Sequence, residues 1–146
     1  MANGSTGAKM AISAKYPRSA EIIRYTIEVD NRLVRTRFGK VITANAICEL
    51  SRLMRADLQF SPSFSEIIDF TNVEKVEISG DHMMQLSESA DPFSPEARRA
   101  FVVQTELQTH EARMYGIVRV ARDKSRVFRS IGEAERWLSS LEEPKS

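Results

Sequence analysis

The sequence predicts an α/β domain, a mixed sheet that opens on a β-hairpin and has a parallel centre, in the order β-β-α-β-α-β-α-β-α. Three observations predict it. Apolar and polar residues alternate on both sides of Asp30-Asn31. Two short, nearly continuous apolar runs, Glu66 to Phe70 and Arg99 to Val103, suit strands covered on both faces. Apolar residues at helical spacing lie between and after them. A hairpin followed by β-α repeats builds a mixed sheet, and right-handed crossovers lay the helices against it.

The elements follow in order. Between Ile22 and Val29, Ile23, Tyr25, Ile27 and Val29 share one face and Arg24, Thr26 and Glu28 the other. Asp30-Asn31 is a two-residue turn candidate. Arg32 to Phe38 then places Val34 and Phe38 opposite Arg35 and Arg37, giving an antiparallel hairpin with one wet face. Thr43 is positioned to cap a helix. Its stripe is Ile47, Leu50, Met54 and Leu58, with Glu49, Arg52 and Arg55 outside. Gln59 to Ser65 is a loop, and the first buried strand follows. Ser79 opens a helix carrying Met83, Leu86 and Ala90, which Asp91-Pro92-Phe93-Ser94-Pro95 breaks. After the second buried strand, Leu107, Met114, Ile117, Val118 and Ala121 make a stripe. Arg126 to Arg129 is a last strand. Ser130 and Glu133 form a capping box for a helix with Ala134, Trp137, Leu138 and Leu141. Residues 1–20 read as a flexible tail, mobile at least to Ala14, 21–141 as the domain and 142–146 as a C-terminal tail.

Composition bounds the function. Of 146 residues 42% are hydrophobic, enough for an ordinary single core. Lys and Arg number 21 against 20 Asp and Glu, so the net charge of +1 points to neither nucleic acid nor an anionic membrane as partner. There is no apolar run of about 18 residues to span a bilayer and no leader-like apolar segment near the start. The single cysteine, Cys48, excludes an internal disulfide. A cytoplasmic location is the expectation.

The candidate chemistry is sparse. His82 and His110 stand apart, without metal-ligand spacing to other donors, and His110 near the Leu107–Met114 stripe reads as a partly buried structural histidine. Cys48 reads as a small core or boundary residue. Asp69 ends a buried strand but lacks the acidic partner that a receiver-type metal site needs. Arg113, Arg119, Arg122, Lys124, Arg126 and Arg129 form a basic stretch that reads as a solvated face. Met83, Met84 and Met114 fit core filling or an adaptable contact. No nucleophile–base–orienter set and no glycine-rich phosphate loop is present, so neither an enzyme nor a cofactor is expected. Ligand and partner chemistry in such sheets gathers at strand carboxyl ends, here Thr71-Asn72, Gln104-Thr105-Glu106 and Arg129-Ser130.

The stretch Ile67-Ile68-Asp69-Phe70-Thr71-Asn72-Val73 resembles the central strand and turn of the STAS domain, the SpoIIAA-like family of anti-sigma-factor antagonists and sulphate-transporter tails. That family opens its next helix with Asp-Ser-Ser/Thr-Gly, matched here by Glu77-Ile78-Ser79-Gly80. Phe93-Ser94-Pro95, Ala112-Arg113-Met114-Tyr115 and Val127-Phe128-Arg129 are similar to a bacterial, mostly uncharacterised STAS-like branch, and the resemblance covers roughly residues 22–141. It implies a regulatory protein-binding module whose partner is a kinase or sigma-factor regulator. It also implies a phosphorylation site at the helix start. Ile78 replaces the first hydroxyl and Glu77 the aspartate, leaving Ser79 as the candidate. A phosphate there meets free N–H groups and adds about −1.5 to −2 charges; Ser79 also fits a plain N-cap worth ~1 kcal/mol. The expected contact surface is Ser79, Gly80, Asp81, Met83 and Met84, beside the loop Asp91 to Pro95. The alternative function is a small-molecule or lipid carrier, which needs an apolar pocket between the sheet and the Met-bearing helices. The hairpin edge leaves a homodimer open.

Overall fold

The computed structural model describes residues 8–11, 23–78, 81, 91–118 and 124–141. In chain order these give β1 (Ala8–Ala11), β2 (Ile23–Glu28), β3 (Leu33–Arg37), β4 (Val41–Thr43), α1 (Ala44–Ala56), β5 (Ser65–Asp69), β6 (Lys75–Glu77), β7 (Arg99–Val102), α2 (Glu106–Val118), β8 (Ser125–Phe128) and α3 (Ile131–Leu141). One sheet of six strands runs β1-β2-β3-β5-β7-β8, and β4 and β6 pair as a separate two-stranded sheet. The β1-β2 and β2-β3 pairs are antiparallel; β3-β5, β5-β7 and β7-β8 are parallel. The hairpin and the parallel centre are those the periodicity predicts.

The pleat sorts side chains into two cores. On one face Ile27, Val34, Phe38, Ile68, Phe70 and Phe101 meet Ile47, Leu50 and Met54 of α1 and Ala112 and Tyr115 of α2. Edge-to-face contacts link Phe38 to Phe70 and Phe70 to Phe101, at 5.5 Å between centroids, and Tyr115 touches all three rings. On the other face Leu33, Ile67, Ala100 and Val102 are covered by Ala134 and Leu138 of α3. The hairpin's second face is therefore wet only in part. Leu33 lies in this smaller core, and Arg35 bridges Glu28 and Glu135, both at 2.6 Å.

Several local expectations need correction. The hairpin turn takes four residues, 29–32, not two: Asn31 N–H donates to Glu28 O and Arg32 N–H to Val29 O. Arg32 closes it at φ 52, the left-handed region. Its carbonyl accepts Ser65 N–H and its guanidinium reaches Ser63 Oγ, and these contacts hold the unfavourable backbone. Thr43 caps α1 as expected, its Oγ1 accepting Ala46 N–H at 3.1 Å. Leu58 does not join the α1 stripe; it is 101% exposed, because the helix ends at Ala56 and Asp57 turns the chain away. The α2 stripe is shifted by one residue: Gln108, Ala112 and Tyr115 are buried, while Leu107 is 54% exposed. Thr105 sets this phase by fixing where the first turn starts, its Oγ1 accepting Gln108 N–H at 3.0 Å. Ser130 caps α3, its Oγ accepting Glu133 N–H at 3.2 Å, but the Glu133 carboxylate accepts Arg129 N–H at 3.3 Å where a capping box would take that of Ser130. The strand β1 lies within the expected tail, where four residues give no periodic signal, and it pairs with β2 from Ala8↔Thr26 to Ala11↔Ile23. The strands β4 and β6, three residues each, were likewise too short to read.

Candidate functional site

The parallel strands β3, β5, β7 and β8 end at one edge of the sheet. Beyond each end a residue still bonds to the neighbouring strand: Phe38 N–H to Asp69 O, Phe70 N–H to Val102 O and Val103 N–H to Phe128 O. Phe38, Phe70 and Val103 are buried, so the loops they lead into start from fixed points. Between those loops lies an open cleft of about 760 Å³. Gly39 and Lys40 form one wall, Thr71 to Glu74 the floor, and Thr105, Leu107 and Gln108 of the α2 start the other wall.

Local hydrogen bonds set this shape. Lys40 O accepts from both Glu74 N–H at 2.8 Å and Lys75 N–H at 3.0 Å, fastening the first wall to the floor. Asp69 turns the chain out of β5: its Oδ1 accepts Thr71 N–H at 2.8 Å and the Thr71 hydroxyl at 2.6 Å, and Arg37 pairs with its other oxygen at 3.3 Å. Gln108 joins floor to far wall. Its Nε2 donates to Thr71 O at 3.0 Å and Val73 O at 3.1 Å, and its Oε1 accepts Gln104 N–H at 2.7 Å. Gln108 is 6% exposed, and its bond to the buried Val73 carbonyl is protected from water, which makes that one costly to lose. Arg129 extends the edge to the next loop through Gln104 O at 3.0 Å. The cleft thus has a fixed frame and exposed polar ends, Lys40, Asn72 and Glu74, with the half-exposed apolar Leu107 at its rim.

A second polar centre lies at the opposite, amino edge of the parallel strands and is buried. Arg99, 3% exposed, places Nη2 2.7 and 2.6 Å from the two oxygens of Asp91 and Nε 3.7 Å from Glu66, itself 3% exposed. Thr36 donates its hydroxyl to Glu66 at 2.7 Å, and the Arg99 guanidinium lies 4.5 Å from the Phe93 ring centroid. Burial works to lower the Arg99 pKa, but the charges of Glu66 and Asp91 outweigh it and hold the guanidinium above its ordinary value.

Of the residues expected at the contact surface, Ser79, Gly80, Met83 and Met84 lie outside the described residues; Asp81 is helical and exposed. The chain approaches them from β6, with Glu77 exposed and Ile78 packed against the main core. His82 is also outside. His110 is exposed, not partly buried, because the one-residue shift of α2 turns it outward. Cys48 is half-buried against the main core, as expected. Met114 is half-buried. The described part of the basic stretch is solvated, as read, with surface ties: Arg126 and Arg129 are exposed, Lys124 pairs with Glu96 at 3.5 Å, Arg126 lies over Trp137 and Arg129 is engaged as above. Arg113 is exposed, and Arg119 and Arg122 lie outside the described residues. Among the described residues no group of three His, Cys, Asp or Glu side chains is placed to share a metal ion, and no helix is long and apolar enough to cross a membrane. Sequence reasoning missed Lys40, Gln108 and the Glu66–Arg99–Asp91 cluster. Gln108 had a signal: Thr105-Glu106-Leu107-Gln108 is a capping-box pattern.

A solved structure of an uncharacterised DUF3478-family protein with a SpoIIAA-like fold, from Shewanella loihica PV-4, is similar to this chain with a TM-score of 0.50. The identity is 16%, over 94% of this chain and 98% of that one. No protein-family model and no curated protein matches the sequence. The fold is SpoIIAA-like, the fold that the resemblance in Ile67 to Gly80 implied.

Proposed function

We propose that this chain is a non-catalytic regulatory module that binds another protein at the carboxyl edge of its parallel strands. The observation that carries this reading is the cleft of about 760 Å³, whose walls are tied together through Lys40 O and the buried Gln108 side chain and whose rim mixes Lys40, Asn72 and Glu74 with the half-exposed Leu107. A fixed frame lowers the ordering cost of binding, and an apolar side chain ringed by polar groups is the common pattern of a contact centre. Ile78, just after β6, packs against the main core and leads in sequence to Ser79. Phosphorylation of Ser79, the site the family resemblance implies, then controls binding by adding charge. The partner class that fits is a regulatory kinase or a sigma-factor regulator, in the cytoplasm.

The alternative, a small-molecule or lipid carrier, needs an apolar pocket between the sheet and the Met-bearing helices, and Met83 and Met84 lie outside the described residues. Among the described residues the space between α1, Phe93, Arg99 and Tyr115 is about 10 Å³, the size of one water and not of an acyl chain.

The test is affinity capture from the native cell with wild-type protein, Leu107→Glu, Lys40→Glu, Ser79→Asp and, as a control on the outer side of α1, Arg52→Glu. A partner retained by wild type and control, and lost or weakened at least about tenfold by the cleft variants, supports the reading. The same proteins retained by every variant, or none by any, refutes it.

A further inference from the structure

The cluster around Arg99 holds one cation and two carboxylates, although one carboxylate suffices to neutralise a guanidinium. The two are not equivalent. Glu66 sits inside β5, its side chain 4% exposed and held by the Thr36 hydroxyl. Asp91 belongs to a loop, its side chain is 23% exposed, and it makes the short contact with Arg99 at 2.6 Å. From the other elements packed here, Phe93 faces the guanidinium and Tyr115 adds its own electrostatic contact.

From this asymmetry we infer that Arg99 is a two-position latch: it clamps Asp91, and with it the loop from Asp91 to Ala97, and turns to Glu66 when Asp91 leaves. Release then strands no unpaired charge in the core. Nε already lies 3.7 Å from Glu66, so the exchange needs a side-chain adjustment and no movement of β5 or β7. Its other ties are local or exposed, apart from Ala97, buried against the main core; Glu96 pairs with Lys124 at 3.5 Å with its own side chain 82% exposed. Phe93 N–H donates to Asp91 Oδ1, Ser94 N–H to Pro62 O, Glu96 N–H to Ser94 Oγ and Ala97 N–H to Ser94 O. Phe93 fills the position beneath, edge-on to Phe60 at 5.1 Å. A short loop held by the Arg99 pair and the buried Phe93 and Ala97 side chains is the kind of local unit that opens below the global unfolding free energy.

The latch is independent of the proposed function; only its bearing on partner binding rests on that reading. In sequence, residues 79–90, which contain the Ser79 phosphorylation candidate, connect Ile78 to Asp91. Arg99 therefore sets where that connection ends.

The experiment is a double-mutant cycle of Asp91→Asn and Glu66→Gln, read by urea unfolding and by amide hydrogen exchange, with no partner involved. In Asp91→Asn the amides of Ser94 and Ala97 exchange at least about tenfold faster while those of β5 and β7 keep their protection. Each single variant leaves Arg99 one carboxylate, so each changes the unfolding constant modestly. The double variant leaves none, and its unfolding constant exceeds the product of the single effects by at least about tenfold. Additive effects overturn the proposal. So does unchanged loop exchange in Asp91→Asn, which needs no folded double variant.

Discussion

Gln108→Leu tests the frame of the cleft. The substitution keeps side-chain volume and removes the partners of three backbone groups, the Thr71 and Val73 carbonyls and the Gln104 N–H. Val73 is buried, so its carbonyl bears the penalty of an unsatisfied group, about 1–3 kcal/mol. Thr71 is half-buried and Gln104 exposed, so water repairs their losses to roughly 0.5–1 kcal/mol each. The apolar side chain returns about 1 kcal/mol through burial. The net destabilisation is near 2 kcal/mol, which lowers the urea midpoint by roughly 1 M at an ordinary slope. Faster hydrogen exchange at Glu74 and Lys75 accompanies it, because their acceptor, Lys40 O, faces a floor no longer fastened to α2. Gln108→Glu adds a pH signature. A carboxylate aimed at two carbonyls has a raised folded pKa, so the folded state holds the extra proton and stability falls as pH rises from about 4 to 7. A midpoint within roughly 0.3 M of wild type, with unchanged exchange at 74 and 75, would refute the clamp.

Other outcomes follow from named contacts. Leu58→Asp leaves thermal stability within about 0.5 kcal/mol, whereas Met54→Ala, one turn earlier and buried, costs about 2–5 kcal/mol. Burial and the neighbouring Asp57, which accepts the Tyr25 hydroxyl at 3.2 Å, push the Tyr25 pKa from 10.0 to about 12. Because the folded value is the higher one, this contribution is whole below pH 10 and is lost as pH rises towards 12. Urea midpoints measured across that range therefore fall more steeply for wild type than for Tyr25→Phe. Ser130→Ala removes the α3 cap and lowers stability by about 1 kcal/mol in a urea titration; no change there would mean that Glu133 holds the first turn alone.

How much of this was legible in the sequence depended on the length of each signal. The hairpin and the buried strands carried period-two or continuous apolar runs, and their pairing came out as read. The caps Thr43 and Ser130 were visible because one side chain satisfies a known backbone group. What failed was phase and reach. Leu58 fits a helical spacing that Asp57 interrupts, and Leu107 fits a stripe that Thr105 rotates by one residue. The cleft was legible only as a set of strand ends. Its walls depend on Lys40 O and Gln108, long-range bonds that no local pattern encodes, although the capping-box spacing of Thr105 and Gln108 hinted at the second. The Arg99 cluster joins residues from β3, β5 and a loop beyond residue 90, so it exists only after the sheet is assembled.

The strand order carries a consequence for biosynthesis. From β2 onward every strand of the large sheet docks beside the one made just before it in that sheet, so the sheet can grow outward from the ribosome without waiting for a later segment to fill a gap. The last piece, β8 with α3, closes the growing side. A nascent chain halted before residue 124 would present Arg99–Val102, buried at every position in the finished protein, as a bare hydrophobic margin that invites another chain.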